Sequence, residues 1–216
     1  MEKAVLFSEM TPGPEWESDF NNWYDEEHIP LRMAVPGFAG AQRYKRNERD
    51  YLAVYDMDAT DVLTSPAYTE VKDNPSEQTA WMLKSVSNFT RYIGRPINTQ
   101  FNTENFVEAP VLYPVFFTVP EDRLSEFDDW YNQDHVPTLL ETPDWLGCRR
   151  FAIESGGPEN FNRLALHYLS DERALASDAR DKARKSEWRD RLSQEDWFKG
   201  TYMVFGRHGK RFTPVL

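Results

Sequence analysis

The stretch that decides the fold is present twice in the chain. Residues 20–30 read FNNWYDEEHIP, and residues 127–137 read FDDWYNQDHVP. The match continues at an offset of 107 without a gap as far as residues 44 and 151, and 8 of these 25 aligned positions are identical. A Trp-Tyr pair, a His-x-Pro sequence, a glycine and an arginine all fall in one register. We therefore expect two copies of one supersecondary unit.

The elements of each copy are predicted from residue patterning. In the first copy, four residues have the i, i+3, i+4, i+11 spacing of one helix face, namely Phe20, Trp23, Tyr24 and Leu31. Short β-rich runs predict strands at residues 4–7, 40–45, 51–55 and 90–93, with counterparts at 115–119, 147–153, 164–169 and 202–205. A second helical stretch precedes each last strand, and in the second copy it reads as one long charged helix over residues 174–194. The proline that follows each repeated histidine predicts that the first helix ends or kinks there.

The resulting order, β-α-β-β-α-β, is that of the ferredoxin-like split βαβ unit. Such a unit leaves one sheet face bare, so two units in one chain are expected to cover each other, sheet face to sheet face. We therefore expect an α+β fold, with two tandem ferredoxin-like βαββαβ units forming a dimeric α/β-barrel-like pseudo-dimer. The first half is placed at residues 1–97 and the second at residues 110–216, with a polar linker over 96–110.

Length, charge and cysteine content narrow the class of protein. The chain has 216 residues and a net charge of −11, and so acidic a surface repels phosphate backbones, so no nucleic acid is expected as a partner. No apolar run reaches the roughly 20 residues that span a bilayer, and the short apolar N-terminus, closed by Glu9, does not have the pattern of a signal peptide. We therefore expect no membrane partner and a cytoplasmic location. The single cysteine, Cys148, excludes an intrachain disulfide.

The repeated pattern also resembles a known family. Phe-x-x-Trp-Tyr-x-x-x-His-x-Pro, followed by a proline turn and an aromatic-x-Gly-x-x-Arg-aromatic strand, resembles EthD-like proteins of the dimeric α/β-barrel superfamily. Members normally pair two separate ferredoxin-like chains, and this chain resembles a tandem fused version that covers nearly all of its residues. The superfamily includes decarboxylases, dehydratases, isomerases, cofactor-free and haem-using monooxygenases, and plain binding proteins. The resemblance therefore implies the shape of a cavity and leaves the reaction open.

Histidines are the main candidates for catalysis. His28 and His135 occupy the same place in the two copies, near a predicted helix end and on the aromatic face. Burial lowers the pKa of such a histidine and the helix dipole raises it, so we expect a value near neutrality, which suits a general acid or base. His167 aligns with Tyr55 and is present in one copy only, which indicates specialisation, whereas the repeated pair has the alternative role of fixing the turn. His208, in the basic tail, is predicted to be solvated.

Aromatic and basic side chains complete the candidate site. Tyr24 and Tyr131 precede the repeated histidines by one helical turn and are predicted to be catalytic. The predicted substrate-binding residues are Arg43, Arg150, Trp23 and Trp130. Each of these has a structural alternative, namely core packing for the aromatic side chains and a cross-strand ion pair for the arginines.

The sequence lacks the motifs of the common cofactors. No Gly-x-Gly-x-x-Gly, Walker or Gly-x-Ser-x-Gly sequence occurs, and no two histidines have metal-ligand spacing, so we expect no cofactor and no metal site. The main prediction is a cofactor-independent enzyme that uses acid/base proton transfer, as in dehydration, decarboxylation or isomerisation. Its substrate is expected to be a small hydrophobic aromatic or cyclic carbonyl compound. The alternatives are a cofactor-free or haem-dependent monooxygenase and a non-catalytic small-ligand-binding protein, and a homodimer is compatible with each.

Overall fold

A computed structural model describes residues 2–214 of the chain. The chain forms two compact units. The first consists of the chain up to Arg95 together with Glu154–Pro158 and the segment from His208, and the second consists of Pro96–Ile153 and Glu159–Arg207. Each unit contains antiparallel strands and its own helices.

The first unit follows the order β-α-β-β-α-β, with each helical region divided into shorter helices. Its elements are β1 (Ala4–Thr11), α1 (Glu17–Trp23), α2 (Ile29–Met33), β2 (Phe38–Arg46), β3 (Asp50–Met57), α3 (Pro66–Asp73), α4 (Glu77–Ser85) and β4 (Ser87–Phe101). Strand β1 lies between β3 and β4, β2 lies beside β3, and all three pairs are antiparallel. This is the sheet of a ferredoxin-like unit, as predicted.

The second unit repeats this order. Its elements are β5 (Val111–Phe117), α5 (Leu124–Trp130), α6 (Val136–Leu139), β6 (Trp145–Gly157), β7 (Arg163–Leu169), α7 (Asp178–Ala183), α8 (Glu187–Leu192), β8 (Thr201–Tyr202) and β9 (Phe205–Phe212). Residues 96–101 of β4 belong to the second unit, and residues 154–157 of β6 and 208–212 of β9 belong to the first. Strand β7 lies between β5 and β6, and β5 also pairs with β8 and β9, in each case antiparallel. Short 3-10 turns occur at Pro14–Trp16, Thr60–Thr64, Phe106–Glu108, Glu121–Arg123 and Glu172–Ala176. None of the helices within residues 2–214 is long and apolar enough to cross a membrane.

Both copies contain a five-residue π-helical segment at the same aligned position. Tyr24–His28 joins α1 to α2, and Tyr131–His135 joins α5 to α6. Of the two predicted outcomes, an end or a kink near the histidine, the helix end is wrong, because the Ile29 N–H donates to the Tyr24 carbonyl and the helix continues. The proline that follows lies in the first turn of α2, where its missing N–H is tolerated. Such π-helical segments are frequent at functional sites.

The predicted linker and the predicted basic tail are both structured. Strand β4 extends to Phe101 and a 3-10 turn follows at Phe106–Glu108, so part of the predicted polar linker over 96–110 has regular structure. Strand pairing satisfies backbone groups that a loop would leave to solvent. The tail forms β9, in which His208 is partly buried with its ring 5.2 Å from that of Tyr51.

The long helix expected over residues 174–194 is also absent. Two short helices, α7 and α8, replace it. Ser177 and Ser186 each accept a hydrogen bond from the backbone N–H three residues later, and each begins a new helix. These serine caps interrupt a run of charged and alanine residues that otherwise has high helix propensity.

Each unit has its own hydrophobic core. The aromatic face predicted for the first helix is buried, with Phe20, Trp23 and Tyr24 all in the core of the first unit. Their counterparts in the second unit are buried in the same way, and the Phe127 and Tyr131 rings lie 5.5 Å apart. The helix face is therefore confirmed for these residues, and in each unit its tyrosine reaches the lining of a cavity. Leu31 was predicted on the same face but is 44% exposed, because the π-helical segment shifts the register of the helix after Tyr24.

Candidate functional site

The second unit contains a cavity of about 140 Å³ between its strands and its helices. The lining is mainly aromatic and includes Tyr113, Phe117, Trp130, Tyr131, Trp145, Phe198 and Tyr202. The polar part of the lining consists of two histidines and three arginines. Three of the residues predicted to be catalytic, Tyr131, His135 and His167, are brought together here.

His167 lies at the centre of a hydrogen-bonded chain in this cavity. The Trp145 Nε1–H donates to His167 Nδ1 at 3.0 Å, and His167 Nε2 lies 2.8 Å from the Tyr131 hydroxyl oxygen. Because an indole N–H can only donate, it fixes the lone pair of a neutral His167 at Nδ1 and its proton at Nε2. His167 then donates to the Tyr131 oxygen, which leaves the Tyr131 O–H proton available to the cavity.

Burial keeps the hydrogen-bonded side chains of this cavity uncharged. It lowers the pKa of His167 well below the usual value, and electrostatic interaction with His135 and Arg150 lowers this pKa further. Burial raises the pKa of Tyr131 well above the usual value. It also raises the pKa of the Cys148 thiol, whose Sγ lies 4.0 Å from His167 Nε2, to about 12. At neutral pH the hydrogen-bonded group therefore contains the neutral imidazole of His167 and the neutral phenol of Tyr131.

His135 lines the same cavity. Its ring centroid lies 4.7 Å from that of Trp130 and 4.9 Å from that of Tyr131. The side chain is partly exposed, but its Nδ1 is buried without a hydrogen-bond partner among the described residues. Burial, followed by the charge of Arg189, lowers the pKa of His135 to about 3. The prediction of a pKa near neutrality is therefore wrong, because desolvation outweighs the helix dipole.

The first unit contains a larger cavity of about 670 Å³, which Tyr24, His28 and Tyr55 line. His28 Nδ1 is buried without a hydrogen-bond partner among the described residues. Burial, and then the charges of Arg32 and Arg43, lower the pKa of His28 well below the usual value, so the near-neutral prediction is wrong here too. Within residues 2–214, no hydrogen bond joins His28 to either tyrosine.

Sequence differences between the copies explain why only the second unit has the chain centred on histidine. Three aligned positions that carry Phe38, Ala41 and Tyr55 in the first copy carry Trp145, Cys148 and His167 in the second. The strand registers agree, because Tyr55 pairs with Ala41 and His167 pairs with Cys148. His167 was predicted from the sequence, but Trp145 was not. Phe38 and Trp145 are both large aromatic residues, so this difference between the copies is typical of core packing. The joint change at the three positions is the signal that identifies the site.

Arg43 and Arg150 lie against the tyrosines and are absent from the linings of the two cavities. Arg150 donates to Asp128 and Asn132, each at 2.7 Å, and its guanidinium carbon lies 4.4 Å from the centroid of the Tyr131 ring. Arg43 makes the equivalent contacts with Asn21, Asp25 and Tyr24. These contacts favour the ion-pair alternative, although the acidic partners lie on the helix and not on a neighbouring strand.

The two tryptophans predicted to bind substrate differ in their surroundings. Trp23 Nε1 donates to Thr79 Oγ1 at 2.8 Å, and Trp23 does not line the larger cavity. Trp130 lines the smaller cavity, and its Nε1 is buried without a hydrogen-bond partner among the described residues. The second-unit tryptophan is therefore the better placed of the two to contact a ligand.

Metal-ligating side chains are not clustered in the part of the chain that the structure describes. No group of three or more histidine, cysteine, aspartate or glutamate side chains there could hold a metal ion. The cysteine of the hydrogen-bonded region, Cys148, is buried. The expectation that the protein uses no metal stays a prediction.

Comparison with known proteins identifies structural relatives only. The chain matches no family model and no curated protein sequence. An anthrone oxidase-like protein is 10% identical over 99% of this chain and 94% of its own chain, with a TM-score of 0.68. A candidate monooxygenase from Fusobacterium nucleatum subsp. nucleatum is 12% identical over 98% and 94% of the two chains, with a TM-score of 0.62. A candidate monooxygenase from Lactobacillus acidophilus is 9% identical over 95% and 94%, with a TM-score of 0.58.

At these identities the similarity shows the fold alone. It extends over nearly the whole chain and confirms the predicted class, an α+β fold of two tandem ferredoxin-like units of the dimeric α/β-barrel type. The narrower resemblance to EthD-like proteins stays a prediction.

Proposed function

We propose that the cavity of the second unit is the active site of an enzyme that removes a proton from a carbon atom next to a carbonyl group. The substrate would be a small aromatic or cyclic compound. The hydrogen-bonded chain of Trp145, His167 and Tyr131 is the observation that carries this proposal. It presents one O–H proton, on a phenol that burial keeps neutral, to an aromatic cavity. A fixed neutral donor is what a developing enolate oxygen requires.

Tyr131 has the role of the oxyanion donor. When the C–H bond breaks, negative charge moves onto the carbonyl oxygen, and the Tyr131 O–H donates to it. His167 donates a hydrogen bond to the Tyr131 oxygen. This bond polarises the phenol and strengthens the hydrogen bond that the Tyr131 O–H donates to the substrate oxygen. The Arg150 guanidinium, which lies over the Tyr131 ring, adds positive charge next to the phenol. One oxyanion donor contributes about 10²–10³-fold to the rate of an enzyme.

His135 has the role of the general base. It lines the same cavity as Tyr131, and with its pKa lowered to about 3 it is unprotonated at neutral pH. The proton that leaves the substrate carbon is held on the imidazole and returns to another substrate atom. In an isomerisation that atom is a second carbon, and in a dehydration it is the oxygen of the hydroxyl group that leaves as water. Residues of this chain therefore supply the base and the donor for this step.

The size of the cavity supports a substrate with one ring. A protein cavity of about 150 Å³ holds benzene, and the cavity here has about 140 Å³. Its aromatic walls suit edge-to-face and stacking contacts with such a ring. A tetrapyrrole is several times larger than this volume, which favours a one-ring substrate over haem. A Soret band in the purified protein would nevertheless support the haem-dependent alternative.

A cofactor-free monooxygenase is the second candidate. The fold similarity to an anthrone oxidase-like protein and to candidate monooxygenases supports it. The same enolate would react with O₂, so that one oxygen atom converts the CH₂ carbon to C=O and the other leaves as water. The substrate carbon supplies all the electrons that reduce O₂. Both candidates share the proton removal and the role of Tyr131, and they differ in oxygen consumption.

Hydrogen exchange of an uncharged ketone tests the proposal. Phenylacetone has one ring and an enolisable CH₂ group, and the loss of its CH₂ proton signal in D₂O is followed by NMR with and without oxygen. We expect the full chain to exchange these protons faster than buffer does. Oxygen consumption that matches product formation would establish the monooxygenase. If exchange does not exceed the buffer rate under either condition, the proposal is wrong, and binding alone would then favour the non-catalytic ligand-binding protein.

A further inference from the structure

Three arginines line the cavity of the second unit without a carboxylate partner. Arg180, Arg184 and Arg189 all lie on its lining, at and between α7 and α8. Arg180 donates to the Leu175 carbonyl at 2.7 Å, and Arg189 donates to the Arg184 carbonyl at 3.0 Å. Within residues 2–214, none of the three forms an ion pair. In a chain with a net charge of −11, three unpaired cations at one cavity are a local exception.

The surroundings of Arg189 are unfavourable for its positive charge. Burial lowers the pKa of Arg189, and the neighbouring charge of Arg184 lowers it further. Like charges beside a mainly aromatic lining repel each other and lose hydration. An anionic group bound in the cavity would relieve both effects.

The first unit has uncharged residues at the positions equivalent to two of these arginines. The serine caps of the helices identify these equivalent positions. The serine caps of α8 and α4 are equivalent, because Ser186 donates to Asp134 and Ser76 donates to the aligned Glu27, both at 2.5 Å. Three residues after each cap serine, Arg189 occupies the position that Thr79 has in the first unit. The cap geometry therefore makes Arg189 and Thr79 a matched pair.

The exchange of threonine for arginine removes a buried hydrogen bond. In the first unit Thr79 Oγ1 accepts from Trp23 Nε1 at 2.8 Å. In the second unit the aligned Trp130 Nε1 is buried without a hydrogen-bond partner among the described residues. The first unit thus has a hydrogen bond between Trp23 and Thr79. The second unit instead has Trp130, whose Nε1–H has no partner within residues 2–214, and the Arg189 guanidinium on the cavity lining.

At a second position, too, an uncharged residue of the first unit is replaced by an arginine in the second. Ser177 and Ser65 begin α7 and α3 as equivalent caps. Three residues later, Arg180 stands where the first unit has Tyr68, which is buried and stacks on Phe38 with ring centroids 5.8 Å apart. An apolar contact of the first unit is therefore replaced by a second cation on the lining.

We propose that this cavity binds a small aromatic carboxylate, whose ring lies against the aromatic lining and whose carboxylate is held by Arg180, Arg184 and Arg189. The inference rests on the proposed function and names the substrate class, a one-ring compound with an enolisable carbonyl group and a carboxylate. Guanidinium groups suit this role because their planar N–H pairs match the two oxygens of a carboxylate.

The same ligand would adjust the general base. After burial, the charges of Arg189 and Arg180 are among the causes that lower the pKa of His135. A bound carboxylate offsets these charges and raises the pKa of His135 toward neutrality, where a general base is most effective. Recognition of the carboxylate and removal of the proton therefore support each other.

Calorimetry with two matched probes tests the inference. Phenylacetate carries the ring and the carboxylate, and phenylacetamide is its uncharged counterpart. We expect the full chain to bind phenylacetate at least about tenfold more tightly, because hydrogen bonds to charged groups are the stronger ones. Arg189→Thr inserts the residue of the first unit, so we expect it to fold and to weaken phenylacetate binding at least about tenfold more than phenylacetamide binding. Arg180→Tyr is a second variant of the same kind.

Arg191→Thr is the control, because Arg191 is an exposed arginine of α8 that does not line the cavity. Equal affinity for the two probes, or an equal loss in Arg191→Thr, would overturn the inference. Its failure is distinguishable from failure of the proposed function. Exchange of phenylacetone without any preference for phenylacetate would refute the carboxylate site alone. Tight phenylacetate binding without phenylacetone exchange would refute the proton transfer alone.

Discussion

Trp145 determines which nitrogen of His167 carries the proton, because its indole N–H occupies Nδ1. Trp145→Phe inserts the aligned Phe38 of the first copy and leaves Nδ1 without this donor. We expect phenylacetone exchange to slow about tenfold or more, since acid/base groups contribute at least this much. Nitrogen NMR of the His167 ring measures the tautomer directly. The wild type should show only the Nε2–H form and the variant a mixture, and an unchanged tautomer in the variant would show that Trp145 does not have this positioning role.

His135 makes the stability of the fold depend on pH. Its pKa is lowered to about 3 in the folded chain, where burial is the largest cause and the charges of Arg189, Arg150 and Arg180 add to it. An unfolded histidine titrates near about 6.5, so between these values the unfolded chain binds a proton that the folded chain does not. The free energy of unfolding therefore falls as the pH decreases from 6.5 toward 3.

His135→Gln removes this contribution, whereas the other buried histidines remain in both proteins. We expect the variant to lose less stability than the wild type between pH 6.5 and pH 4, as measured by urea titrations at the two pH values. Parallel losses in the two proteins would show that His135 is already protonated in the folded chain.

At the scale of helices and strands, side-chain patterning predicted the strands and the buried helix face but not the π-helical segments. The i, i+3, i+4 spacing ends at Tyr24, where the π-helical segment Tyr24–His28 begins. The following proline predicted that the helix ends or kinks at the histidine. The helix does not end there, because the proline lies in the first turn of α2 and is tolerated. A hydrogen bond from N–H to the carbonyl five residues earlier leaves no mark on the composition of the segment.

The serine caps of α4 and α8 provide a prediction at this scale. Ser76→Ala and Ser186→Ala should each lower the free energy of unfolding by about 1 kcal/mol, the usual effect of a lost N-cap. Ser186→Ala should in addition weaken phenylacetate binding, because α8 carries Arg189. Urea denaturation and calorimetry measure the two effects. A loss of phenylacetate affinity in Ser76→Ala as large as that in Ser186→Ala would contradict the assignment of the carboxylate to the second unit.

At the scale of the whole molecule, the internal repeat was sufficient to predict two ferredoxin-like units, but it could not locate the cavities. Cavity linings depend on how helices pack on a sheet, and this is decided by contacts between residues distant in sequence. His167 was accessible to sequence reasoning because it breaks the repeat. Arg180 and Arg189 were not, because a charged run in a predicted surface helix has the pattern of a solvated face.

The repeat also allows matched variants of the two histidines. If the second unit carries the activity, His135→Ala should slow phenylacetone exchange at least about tenfold more than His28→Ala, the scale of a lost acid/base group. Thermal unfolding of both variants provides the control. Equal losses of activity with equal drops in thermal stability would instead mark both histidines as structural.

The two tyrosines provide the most direct test of proton transfer in the second unit. Tyr131→Phe and Tyr24→Phe each remove one hydroxyl group from the same aligned position, and the measurement is the rate of phenylacetone CH₂ exchange in D₂O. We predict a decrease of about 10²-fold or more in Tyr131→Phe, the effect of a lost oxyanion donor, and a rate near that of the wild type in Tyr24→Phe. Equal rates in the two variants, or a loss confined to Tyr24→Phe, would contradict the assignment of the active site to the second unit.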